Sequence, residues 1–429
     1  MKRSLAGSLA RFLAVFLAVA ACSDGTGPSE DYEPITRLPR ELTAAETTLI
    51  GASNDFGLEL VRTVAATDDR PNLILSPLSA SMALGMTLNG ADGATFDDMR
   101  STLGFDGLTQ EEINDSYRAL VDLLTDLDPL VKFEIANAIW ANEGVPFRDA
   151  FFQVVAAAFD ATVDSRDFSD EATVDAINAW VDGKTHGLID SIVDQLDPAL
   201  VMLLVNAIYL DAAWADEFDP ADTRPADFTR ADGSTVTLDL MSRSDVELPV
   251  TWAPSYTAVE LPYGGGAFSM IVILPAEGLT TRDVLAELDA TAWDELVTGL
   301  WPRGLGRFAL PKFTLSYDAW LNDALASMGM EVAFTPAADF TRMSPAGDRM
   351  CISFVRQKTF MEVDERGTRA AAVTAVGIVE TSLPPEVVVD RPFVLVIRER
   401  LSGALLFAGL VGDPTTEDPG PEPPTIQCM

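Results

Sequence analysis

The spacing of apolar positions changes along the chain. From Glu41 to Arg62 they recur at Leu42, Leu49, Phe56, Leu60 and Val61, roughly on one helical face. Ser76-Pro77 opens a second apolar helix reaching about Asn89. NGADGATFDDMRSTLGF reads as a turn and a short helix, and Glu111 to Leu127 as an amphipathic helix. Further along, runs of β-branched and aromatic residues bounded by Gly, Pro or Asp predict strands: FEIANAIWA, LVMLLVNAIYL, YTAVELPY, FSMIVILP, GRFALPKFTL, CISFVRQKTFMEV, EVVVDRPFVLVIRE and ALLFAGLVG. Helices are interleaved at Thr173–Thr185 and Tyr317–Met328. With no repeat at solenoid periods, the pattern predicts one large α+β domain from about Leu42 to Asp413. A Pro-rich tail, 414–429, follows it and is expected to be disordered.

One stretch fits neither period. GTRAAAVTAVGIVETSLPPE, Gly367 to Glu386, is too apolar for a solvated loop and too rich in Gly, Thr and Ala for an ordinary buried strand. Sorted by alternation, Thr368, Ala370, Ala372, Thr374 and Val376 share one uncharged face, while Arg369, Ala371, Val373, Ala375 and Gly377 share the other. No proline occurs between Gly367 and Leu383, so each amide there is free to join a ladder, even in the middle of a sheet. Small residues also let the segment stay extended and soluble when unpaired. Such a segment can serve as a switch.

The N-terminus carries a different signal. Lys2 and Arg3, the apolar run Phe12 to Val19, and small residues before Cys22 form signal-peptide architecture over residues 1–21, too short for a membrane span. Val19-Ala20-Ala21-Cys22 resembles a bacterial lipobox, which makes Cys22 the expected lipidation site and 22–41 a flexible tether. The expected location is therefore the cell envelope, anchored through Cys22, or the exterior. Cys351 in MCISFV reads as a buried small hydrophobe, and no disulfide framework is visible.

A composition 48% hydrophobic and 22% charged, with slightly positive mean hydropathy, implies a real core. The net charge of −37 argues against nucleic acid or an anionic membrane surface as partner. Lysine occurs only at Lys2, Lys132, Lys184, Lys312 and Lys358, which fits either a GC-rich coding bias or an acidic surface suited to salt.

A catalytic site does not emerge. The single histidine, His186 in GKTHGLID, has no Gly-x-Ser-x-Gly nucleophile to serve and reads as a turn or surface residue. Gly183-Lys184-Thr185 lacks the glycine of a phosphate loop, which is Asn178 here. No zinc or calcium spacing is present, so no cofactor or metal is expected.

MEVDERGTRAAA resembles the hinge of the serpins, a family of serine protease inhibitors, and PPEVVVDRPFVLVIRERLSGALLFAGLVGDP resembles their C-terminal signature. NLILSPLSASMALGMTLNGADGAT, FEIANAIW, INAWVDGKTHGLI, LVNAIYLDAAW and LPKFTL follow in serpin order. The resemblance implies a serpin fold of three β-sheets and about nine helices, with an exposed reactive loop able to insert into the largest sheet. It implies a non-enzyme: a suicide substrate that traps a serine protease as an acyl-enzyme. It places the reactive bond at Thr381–Ser382, or at Glu380–Thr381 if the register slips by one. Small residues around Thr381, and no Arg or Lys between Arg369 and Arg391, favour an elastase-like or subtilisin-like partner over a trypsin-like one.

The resemblance also assigns Glu365, Gly367, Thr368, Ala370, Ala371 and Ala372 to the hinge, with Arg369 departing from the usual acidic residue. Glu365 and Lys312 match an ion pair, and Trp214 a tryptophan near the sheet's opening end. Ser76, Ser79 and Asn206 match a polar cluster under the sheet's centre, where Gln357 replaces a histidine. A monomer is expected, as is the alternative that the fold serves only as a non-inhibitory binding or surface protein.

Overall fold

The computed structural model describes residues 34–368, 384–416, 418 and 420. Its helices, in chain order, are α1 (Ala44–Thr67), α2 (Pro77–Leu88), α3 (Gly93–Thr102), α4 (Gln110–Thr125), α5 (Asp149–Phe159), α6 (Glu171–Lys184), α7 (Thr281–Glu287), α8 (Ala290–Thr298) and α9 (Asn322–Leu325). The strands are β1 (Asn72–Leu75), β2 (Val131–Asn142), β3 (Ala161–Arg166), β4 (Met202–Ala213), β5 (Arg224–Thr229), β6 (Thr235–Trp252), β7 (Tyr256–Tyr263) and β8 (Phe268–Pro275), followed by β9 (Trp301–Pro311), β10 (Phe313–Trp320), β11 (Arg356–Val363), β12 (Gly367–Thr368), β13 (Glu386–Val388), β14 (Phe393–Glu399) and β15 (Leu405–Val411).

Local chemistry fixes the first helices. Thr43 and Glu46 form a reciprocal capping box at the start of α1, which satisfies two amides that a helix otherwise leaves unpaired. Arg40 clamps the same Glu46 carboxylate with two hydrogen bonds, at 2.6 and 2.8 Å. Ser76 caps α2 ahead of Pro77, whose missing N–H costs nothing in a first turn.

The strands form three hydrogen-bonded sheets. The largest runs β1-β15-β14-β8-β7-β6-β9-β13, with β5 on β6. Every residue of β8, β14 and β15 is buried, matching their unbroken apolar runs. A four-stranded sheet runs β12-β4-β2-β3, and β10 with β11 makes a two-stranded one. The main core includes Leu210 and Ala212 of β4, with Met202, Leu204 and Ile208 packed against it. Leu203 and Val205 of the same strand join Ala138 and Trp140 in a smaller core with Ile177 and Val181 of α6. The strand therefore has two apolar faces, as expected of a strand covered on both sides.

Three expectations change. Tyr317 to Trp320 belongs to β10, not to a helix: Phe313, Leu315, Tyr317 and Ala319 alternate inward at period two, whereas the rest of the expected helix forms as the short α9 and the π-helical turn Ala326–Met330 that continues it. CISFV is irregular rather than the start of a strand, because Ile352 N–H is spent on Ala333 O and Val355 N–H on the Asn322 side chain. Cys351 is half-buried and disulfide-bonded, not a reduced core residue. Packing also extends past both expected edges of the domain. Ile35 and Leu38 lie against the core, and Asp418 pairs with Arg70 at 2.7 Å. No helix among the described residues is long and apolar enough to cross a membrane.

Across β7, β8 and β14 runs a buried ionic cluster. Glu260, 2% exposed, accepts from Arg398 at 2.7 Å and from Ser269 at 2.8 Å. Removing one partner of such a pair strands a buried charge, at a cost of about 3–5 kcal/mol. Glu260→Leu should lower the urea midpoint by a corresponding amount, and adding Arg398→Met should restore most of it. Additive losses in the double variant would overturn this account.

Candidate functional site: an open seam between two strands

β4 and β11 run side by side in the same direction without a hydrogen-bonded ladder between them. β4 pairs with β2 along its length on one edge, and on the other edge, among the described residues, with β12 through Gly367↔Ala213 and Thr368↔Ala212. β11 pairs fully with β10. Two cavities, of about 90 and 70 Å³, lie along the seam. The lower is lined by Met202–Asn206 of β4 and by Met350–Gln357, the upper by Asn206–Asp211 and by Gln357–Glu362.

At the upper end the chain leaves β11, turns at Asp364 to Gly367, and enters the seam. Asp364 and Gly367 exchange backbone hydrogen bonds of 3.1 and 3.2 Å, which makes β12 antiparallel to both neighbours. Gly367 has φ +117°, and a Cβ there would lie 2.4 Å from Trp214 N and 2.5 Å from Ala212 O. Only glycine lets the backbone pass so close. Trp214 is 3% exposed and stacks on Tyr263 at 4.5 Å, while its Nε1–H donates to Asp364 O at 3.0 Å. Trp214 N–H donates to Arg366 O at 2.8 Å.

The expected ion pair is present. Lys312 Nζ stands 2.8 Å from Glu365 Oε2, and Thr223 Oγ1–H donates to Glu365 Oε1 at 2.8 Å. Burial pushes the Glu365 carboxyl up, but the hydrogen bonds from Lys312 and Thr223 outweigh it and hold the group below its ordinary range. The hydrogen bond to Glu365 raises Lys312 in turn, against a smaller desolvation effect. Thr223 carries no sequence signal of this role.

The central polar cluster is assembled in two halves. On one side, Gln357 accepts from Ser76 N–H at 2.8 Å and donates to Ser76 O at 3.0 Å, while Ser76 Oγ–H donates to Leu406 O and accepts from Ser79 N–H. On the other, Asn206 donates to Asn137 at 2.5 Å, and Asn137 donates to Phe159 O. The buried Oδ1 of Asn206 has no partner among the described residues. Asn137 was not among the expected residues, although an asparagine amid the apolar run FEIANAIWA was a visible signal.

The segment after α6 crosses the seam on its outer face. Asn178 holds Ile192 and Val193 through three backbone hydrogen bonds, and Arg356 and Lys358 of β11 donate to Ile192 O and Ser191 O. His186 lies beside this strap at φ +52°, with Nε2 at 2.7 Å from Glu134 and 2.9 Å from Lys132. Ala370, Ala371, Ala372, Glu380, Thr381, Ser382 and Cys22 lie outside the described residues.

The serpin family, described as serine protease inhibitors, matches residues 51–414. Human neuroserpin is 30% identical over 376 residues, covering 84% of this chain and 91% of neuroserpin. Among solved structures, the thermophilic serpin tengpin in its native state superposes with a TM-score of 0.77 at 32% identity, covering 89% of this chain and 97% of tengpin. A thyroxine-binding globulin in complex with thyroxine superposes at 0.77 and 28% identity, covering 86% of this chain and 99% of the globulin.

The shifts at Lys312 and Glu365 define a pH window. A depressed carboxyl stabilises the fold fully above its unfolded value, about 4.3, and loses that contribution as pH falls through the lower folded value. A raised lysine contributes fully below about 10.4 and loses it as pH rises through the higher folded value. Scanning the unfolding midpoint from neutral to acid pH should therefore show a loss that shrinks in Lys312→Met. An undiminished loss in that variant would overturn the assignment.

Proposed function

Because this chain belongs to the serpin family, we propose that it inhibits serine endopeptidases as a suicide substrate. The observation that carries the proposal is the seam, where β4 and β11 share no ladder among the described residues and into which Gly367 and Thr368 lead the chain.

The observed register supports the rest of the insertion. Continued downward, it pairs Ala370 with Leu210 and Ala372 with Ile208, both positions of the main core face. Small, uncharged residues suit that face. Arg369 would stand on the outer face between Asp211 and Glu362, so its departure from the usual acidic residue is matched by two carboxylates. Roughly a dozen ladder residues at about 1 kcal/mol per hydrogen bond supply on the order of 10 kcal/mol. That is comparable to the 5–15 kcal/mol or so holding a protease together. Distorting the protease oxyanion hole stops deacylation, since its donors must lie within hydrogen-bond distance of the developing charge.

Cleavage is placed at Thr381–Ser382, with Glu380–Thr381 as the neighbouring register, and an elastase-like or subtilisin-like protease fits the small residues there. Residues 1–21 act as an export signal and Cys22 as a lipid anchor in this reading. A non-inhibitory binding role is the second reading, favoured by the likeness to a globulin solved with thyroxine.

The experiment is incubation of the chain with elastase-like and subtilisin-like enzymes, followed by denaturing electrophoresis. A detergent-stable covalent complex is expected, and Ala370→Glu, which places a charge on the core face, should convert most of it to cleaved product. Clean cleavage of the unaltered chain across a broad protease panel would sink the inhibitory reading in favour of the binding one.

A further inference from the structure

The two cavities of the seam meet at one buried amide. Asn206 lines both of them, as do Ser79 of α2 and Gln357 of β11. We propose that the cavities form one binding slot for a small, flat, uncharged aromatic molecule carrying a single N–H or O–H, with Asn206 Oδ1 as the acceptor that orients it. Binding is independent of the inhibitory reading, and only its effect on inhibition rests on that reading.

The orientation of the Asn206 amide follows from its neighbours. Asn137 turns its NH2 toward Phe159 O at 2.7 Å, so it presents its carbonyl to Asn206. Asn206 answers with its own NH2 at 2.5 Å, which leaves Oδ1 buried and without a partner among the described residues. Gln357, the other amide of the lining, is turned toward the backbone of Ser76. A buried acceptor left unpaired is costly, and a donor on a guest molecule recovers that cost.

Most of the slot around this acceptor is apolar. Ala80 and Leu84 of α2, Val205 of β4 and Phe354 line the lower cavity, and Ile397 and Phe407 line the upper one. The cations nearest the lining are engaged, Arg356 with Asp318 and Lys358 with Ser191 O. A charged guest would lose its hydration without gaining a counter-ion, so the ligand is neutral. Ordered water needs two to four polar partners, whereas apolar cavities accept apolar guests. The two volumes, about 90 and 70 Å³, together match the engineered cavity of roughly 150 Å³ that takes up benzene.

A ring held at Asn206 lies between β4 and β11, on the track that Gly367 and Thr368 enter from above. In the inhibitory reading an inserting strand has to displace it. The bound molecule then slows insertion and lets more of the acyl-enzyme hydrolyse to cleaved chain.

The test titrates the full chain by calorimetry with indole and with indene, a hydrocarbon of nearly the same shape that lacks the N–H. The preference for indole over indene should be about tenfold greater in the unaltered chain than in Asn206→Leu, as expected for one buried hydrogen bond. Ala83→Leu fills the lower cavity from α2 while keeping Asn206 and its bonds, and it should weaken both compounds. It localises the site even if Asn206→Leu does not fold. The proposal is overturned if the unaltered chain binds neither compound, if the indole preference survives in Asn206→Leu, or if Ala83→Leu binds both undiminished. With a protease that forms the covalent complex, saturating indole should raise the cleaved fraction, and an unchanged fraction would refute the effect on insertion. A chain that forms no complex with any protease refutes the inhibitory reading and leaves the binding result standing.

Discussion

β4 and β11 run side by side with no ladder joining them among the described residues, and much of the surrounding structure is arranged about that seam. Buried backbone groups without partners are costly, and exposed strand edges invite pairing. The strap after α6 spans the gap on one face by binding Arg356 and Lys358 of β11. At the top, Trp214, Lys312 and Glu365 hold the turn that feeds the chain into it. In the proposed mechanism the seam's occupant is the strand that follows Gly367.

Close backbone approach explains why that strand begins as it does. The Gly367 backbone passes where a Cβ would meet Trp214 N at 2.4 Å, and its φ of +117° is one that other residues rarely adopt. Trp214 is pinned from three directions, by the stack on Tyr263, the bond from its indole to Asp364 O and the bond from its amide to Arg366 O. The first two inserted residues are therefore specified by the rigid corner around them. In the proposed insertion, those that follow need only be small and uncharged on the core side.

Much of this was legible in the order of the residues. Alternation puts Arg369 on the face opposite Thr368 and Ala370, and the described start of that strand, Gly367 and Thr368, pairs with Ala213 and Ala212. The capped starts of α1, α2 and α4 follow from Thr43, Ser76 and Thr109 in front of apolar-periodic runs. The long β6 was not foreseen, because Thr235–Trp252 mixes Asp, Ser, Arg and Glu with its apolar positions and alternates buried with exposed residues irregularly. Within the expected helix Tyr317–Met328, Tyr317–Trp320 misled because its apolar residues satisfy both periods, and the pairing of β10 with β11 decided between them, while Asn322 onward is helical. The disulfide at Cys351 was not legible, since partnership depends on where distant segments meet in space.

The middle of the seam shows how one substitution shifts a control point. Gln357 spends its carbonyl and its amide on the backbone of Ser76, so it has little left to offer Asn206 across the gap. Asn206 turns to Asn137, and its own Oδ1 is left without a partner among the described residues. A histidine at this position would titrate near neutral pH and could change its partners with protonation, whereas an amide cannot. The titratable pair Lys312 and Glu365 stands instead at the seam's upper end. There the carboxyl is held below its ordinary range, and protonating it takes acid well below neutral. The central amides of Gln357, Asn206 and Asn137 do not titrate, so their hydrogen bonds carry no proton switch of their own.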